Sequence, residues 1–108
     1  MMLGRLNEPE PRVLQRVDVL PDALQLWFNA EPKVRGEHLH GALVLQIDAR
    51  GREQQGQVLV AGKAANWRLM RNEHGLLLNL LAARPVRGEW RGAPVDGGWR
   101  LSISLREE

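Results

Sequence analysis

The chain of 108 residues has no cysteine, no tyrosine and a single phenylalanine. Without cysteine there are no disulfides, thiolate metal sites or cysteine nucleophiles, and the compartment stays open, with the cytoplasm as default and the cell envelope for a domain excised from a longer chain. Serine occurs only at Ser102 and Ser104, inside a regular alternation rather than a nucleophile elbow, and no glycine-rich phosphate loop follows a strand. Carboxylates are scattered, with no spacing that singles out a pair for acid–base work. These absences predict a protein that is not an enzyme and uses no cofactor. No apolar run approaches the ~18 residues of a membrane span, and residues 1–11 lack the apolar stretch of a signal peptide.

Lysine is scarce as well: only Lys33 and Lys63 occur, and the other basic residues are arginine. Fifteen basic side chains against 13 acidic ones give a net charge of +2, too little for a polyelectrolyte binder. The hydrophobic content of 44% supports one core in a chain of this length.

Apolar and polar residues alternate with the period of a strand. The two prolines alternating with acids in Asn7–Pro11 predict an extended polar arm over residues 1–11, followed by a β domain over 12–108. In Arg12–Leu20, Val13, Gln15, Val17 and Val19 share one face; Pro21-Asp22 is a turn; and in Ala23–Ala30, Leu24, Leu26 and Phe28 oppose Gln25, Trp27 and Asn29. His38–Asp48 reads as one long alternating strand. Ala49–Gly56 is turn-like and Gln57–Gly62 resumes strand composition, which predicts a second hairpin, with Gly51 available for a positive φ; Trp67–Arg71 follows as a shorter strand. Leu76–Arg84 is read as a strand buried on both faces, with a short helix over 72–84 as the alternative, because Asn72 can cap one and Pro85 would stop it. After the Asp96-Gly97-Gly98 turn, Trp99, Leu101, Ile103 and Leu105 alternate with Arg100, Ser102, Ser104 and Arg106. The predicted class is all-β: an antiparallel sandwich or small barrel of about seven or eight short strands.

Three of the four tryptophans precede an arginine: Trp67-Arg68, Trp90-Arg91 and Trp99-Arg100. Neighbours on a strand face opposite sides, so the pairs predict inward tryptophans and outward arginines, with Trp99 mostly buried and Arg100 mostly exposed. A ligand surface would instead need exposed tryptophan faces with arginines from neighbouring strands beside them.

Candidate metal ligands are His38 and His40, whose spacing of two would place both imidazoles on one strand face, with Glu37, Asp48 or His74 as a third ligand. This resembles the His-x-His of cupins, a likeness that implies a metal on a double-sheet barrel. Gly41-Ala42-Leu43-Val44-Leu45 lacks the glutamate of that motif, and Glu89-Trp90 stands where its later histidine would follow Pro85-Val86-Arg87-Gly88. Arg12 and Arg16 resemble the Arg-x-x-x-Arg opening of PilZ domains, which implies a cyclic dinucleotide held by paired guanidinium forks; the second motif of that family is missing.

By elimination, the expected function is a non-catalytic interaction or assembly module with a protein partner or a second copy of itself, within a larger bacterial-type protein or complex. If the His38–Asp48 strand lies at a sheet edge, it could take a partner strand. The alternatives are a nucleotide- or nucleic-acid-binding β-barrel using Arg12, Arg16, Arg100 and Arg106, and a cupin-like metal protein using His38 and His40.

Overall fold

The alternation in the sequence becomes nine antiparallel strands in the computed structural model, which describes residues 11–108 and contains no helix among them. The strands are β1 (Leu14–Leu20), β2 (Ala23–Phe28), β3 (Val34–Leu39), β4 (Ala42–Ile47), β5 (Gln54–Val60), β6 (Lys63–Asn72), β7 (Gly75–Ala82), β8 (Val86–Val95) and β9 (Gly98–Glu107). They form a four-stranded sheet, order β1-β2-β9-β8, and a five-stranded sheet, order β3-β4-β7-β6-β5. The inner faces close over one apolar cluster that includes Leu24, Leu26 and Phe28 from the first sheet and Leu43, Leu45, Leu76, Leu78 and Leu80 from the second. The all-β sandwich is therefore the architecture; except for Pro11, the predicted arm lies outside the described residues.

The strands that the alternation does not foretell are β3 and β8. The run His38–Asp48 is not one strand: it folds back at His40 and Gly41, whose φ values of 50° and 82° are those of a two-residue type I′ hairpin turn, and Leu39 pairs with Ala42. In β8 glycines at Gly88 and Gly92 alternate with Val86 and Trp90 at the inward positions, so the sequence shows no continuous apolar period there. The space above the glycines is filled by Leu43 and by Trp99.

Leu76–Arg84 is a strand over Gly75–Ala82, and Asn72 ends β6 rather than capping a helix. Pairing on both sides, with β4 and β6, outweighs the helix propensity of its leucines. Its outer face is not buried: Leu81 is 56% exposed. The second predicted hairpin does not form, because β5 pairs with β6 at the far edge of the sheet instead of with β4, and Gly51 is not among the residues with positive φ.

In β1 the predicted phase holds only in its second half. Leu14 pairs with Phe28 and Arg16 with Trp27, leaving Gln15 as a bulge; the extra residue puts Leu14 inward while Val17 pairs with Leu26, and Val13 is exposed.

The tryptophans of the Trp-Arg pairs turn inward, each against a glycine. Trp67 lies against Gly56, where an added Cβ would sit 2.9 Å from its ring; Trp90 reaches across the sandwich onto Gly36, where the distance would be 2.6 Å; and Trp99 covers Gly92. An indole over a glycine fills the volume that the missing side chain leaves. Trp67 is buried, whereas Trp90 and Trp99 are half-buried, so Trp99 is less enclosed than predicted. Arg68 and Arg91 are exposed, but Arg100 is half-buried because it lies down on the outer face instead of extending into water.

Candidate functional site

The outer face of the four-stranded sheet carries side chains that the fold does not consume. Register places Arg16 of β1, Trp27 of β2, Arg100 of β9 and Ala93 of β8 in one row across the sheet. The next row is Asp18, Gln25, Ser102 and Arg91, and beyond it Ser104 pairs with Glu89 and Arg106 with Arg87. Five arginines on this face thus meet Asp18 and Glu89, and Arg87 also reaches Glu108 at 3.4 Å.

Trp27 organises the first row. The guanidinium carbon of Arg16 lies 4.6 Å from its ring centroid and that of Arg100 lies 5.7 Å away. Such contacts are each worth about 0.5–1 kcal/mol at exposed sites and hold the arginines in place. Asp18 fixes the arrangement from below: its Oδ2 accepts the Trp27 Nε1–H at 2.9 Å and its Oδ1 lies 3.2 Å from Arg16 Nε. Arg16 is therefore paired with a carboxylate. Arg91, Arg100 and Arg106 have no carboxylate within ion-pair distance among the described residues, and Arg100 Nε is buried without a hydrogen-bond partner. A groove beside β8, bordered by His38, Trp90, Arg91, Ser102 and Ser104, continues this face to the sheet edge.

The predicted site residues separate. Arg16, Arg100 and Arg106 share the outer face, while Arg12 stands elsewhere, donating from Nε to the Glu31 carbonyl at 2.9 Å and reaching Asp48 Oδ2 at 3.7 Å. The paired fork suggested by Arg12 and Arg16 is split by the bulge at Gln15. His38 and His40 do not share a strand face, since β3 stops at Leu39 and His40 belongs to the turn. His38 instead accepts a hydrogen bond at Nε2 from the Gly88 backbone N–H, 3.1 Å away. Among the described residues no three His, Asp or Glu side chains converge as metal ligands.

Trp27 and Gln25 are not among the sequence-predicted site residues, and Arg91 enters there only as the outward member of the Trp90-Arg91 pair; yet Trp27 falls on the polar face of β2 beside Gln25, an unusual place for a tryptophan. The edge expected over His38–Asp48 is β3 alone; β4, with Val44, lies inside the sheet between β3 and β7. No described helix is long and apolar enough to cross a membrane. Compared with protein-family models, curated proteins and solved structures, the chain matches none.

Proposed function

We propose that this protein is a non-catalytic interaction module whose working surface is the outer face of the β1-β2-β9-β8 sheet, and that its partner is a protein presenting an acidic segment. The observation that carries this reading is the Arg16–Trp27–Arg100 row, with Arg91 and Arg106 unpaired beside it. Arginine and tryptophan are the residues that dominate protein interfaces, because a planar fork or an indole gives much contact for little lost rotamer freedom. Here the cation–π contacts hold Arg16 and Arg100 in place before binding, which lowers the ordering cost of association.

A nucleic-acid partner is less well supported by the same face. Arg16 and Arg100 lie over Trp27 from the strands on either side, so a base would have to displace a guanidinium to stack there. A net charge of +2 is also small for a ligand bound mainly through phosphates.

The test is fluorescence anisotropy with a labelled glutamate-rich peptide and an oligothymidine of equal charge. Binding should favour the peptide and weaken at least about tenfold in Arg91→Glu and in Arg100→Glu, the loss of one charge-assisted contact. Binding by both variants equal to that of the parent, or tighter binding of the oligonucleotide, would refute the reading.

A further inference from the structure

At one end of the sandwich, away from the arginine face, lies a cleft of about 820 Å³ whose wall includes Arg12, Lys33, Arg35 and Arg50. Its carboxylates are Asp48 and Glu73. Asp48 is engaged by Arg12 at 3.7 Å, and Glu73 by His74 at 3.4 Å on the rim. Lys33, Arg35 and Arg50 are left with no carboxylate within ion-pair distance among the described residues.

The backbone holds these cations in fixed relation. Lys33 and Arg35 are two residues apart where the chain enters β3, so their stems leave on the same side, and the Lys33 carbonyl accepts the Asp48 N–H at 2.9 Å. Arg50 is pinned by two backbone bonds to the chain leading into β1: its N–H donates to the Arg12 carbonyl at 2.8 Å and its carbonyl accepts the Leu14 N–H at 2.7 Å. Between them, Gln46 and Asn72 hydrogen-bond each other through both side-chain amides, at 2.8 and 3.2 Å, and Gln46 also donates to the Leu76 carbonyl. These amides make a rigid polar floor. No Trp, Tyr or Phe lines the cleft, and its one imidazole, that of His74, lies on the rim against Glu73.

We infer that this cleft binds a small molecule carrying two or more phosphoryl groups, held by Lys33, Arg35 and Arg50. Guanidinium forks and an ammonium match tetrahedral oxyanions, three uncompensated cations match more than one such group, and the volume is that of a small-molecule site rather than of a polymer groove. The site is separate from the proposed partner surface and stands without it.

Isothermal titration of the 108-residue chain with inorganic pyrophosphate tests this, with orthophosphate, citrate and AMP as comparators. Pyrophosphate should bind saturably, at least about tenfold tighter than orthophosphate, and Arg35→Glu or Arg50→Glu should each weaken it by at least about tenfold. AMP, which has one phosphoryl group, should bind no tighter than orthophosphate. Lys33→Gln, on an exposed side chain ahead of the strand, gives a second reading should a charge reversal impair folding, checked by circular dichroism. No saturable binding, binding unchanged in the folded variants, citrate binding as tightly as pyrophosphate, or AMP binding as tightly as pyrophosphate would each overturn the inference.

Discussion

Gly88 and His38 tie the two sheets together: the backbone N–H of Gly88 on edge strand β8 donates to Nε2 of His38 on edge strand β3 at 3.1 Å. The neighbouring Val86 N–H donates to the Gly41 carbonyl at 3.0 Å, so the start of β8 is covered by the β3–β4 turn. An edge whose donors are taken in this way is a poor template for a foreign strand, and Pro94 removes another donor further along.

His38→Ala should therefore leave the Gly88 N–H without its partner and cost about 1–2 kcal/mol. Urea unfolding measures the loss, and faster amide exchange confined to the β8 edge locates it. An exchange rate at Gly88 equal to that of the parent would contradict the assignment.

The seat of Trp90 on Gly36 leaves no room for a side chain. Gly36→Ala should destabilise by roughly 1–3 kcal/mol through overpacking against Leu45 and the indole. Tryptophan emission should shift to the red as Trp90 is pushed outward.

The four tryptophans should divide by mutation. Trp67, 5% exposed, sits in the core, and Trp67→Ala should cost roughly 3–5 kcal/mol. Trp27→Ala removes two cation–π contacts and one hydrogen bond from the outer face, and should cost about 1–2 kcal/mol. Thermal unfolding of the two variants side by side checks the order.

Ala61 holds a φ of 53° in the β5–β6 turn while its N–H donates to Asp22 Oδ1 at 2.7 Å. Left-handed backbone costs alanine about 1 kcal/mol, and asparagine less. Ala61→Asn should raise stability by about 0.5 kcal/mol, since it keeps the N–H and points into solvent. A lower unfolding midpoint would show that the strain lies elsewhere.

Much of this fold is legible in the sequence wherever one face is apolar and the other wet. In β9, Leu101, Ile103 and Leu105 are buried as the alternation requires, and Arg100, Ser102, Ser104 and Arg106 face out. The sequence is silent at β8 because two of its inner positions are glycines filled by Leu43 and Trp99, which interrupts the apolar set begun by Val86 and Trp90, and it misleads at His38–Asp48 because Gly41 falls in phase with the alternation while serving as a turn residue. The bulge at Gln15 shifts the phase of β1 without any local signal. The candidate surface was half visible: Arg16, Arg100 and Arg106 could be named singly. Which tryptophan they surround depends on the register of β1, β2 and β9, and register between distant strands is not written in either strand alone.

Side-chain NMR tests the proposed surface most directly, because Arg Nε–H and Trp Nε1–H signals report on the row itself. On titration with a glutamate-rich peptide, the signals of Trp27, Arg91 and Arg100 should move together and saturate, while the Trp67 indole stays in place. Signals that move only around Arg35 and Arg50, or that do not move at all, would show that the partner surface is not this face.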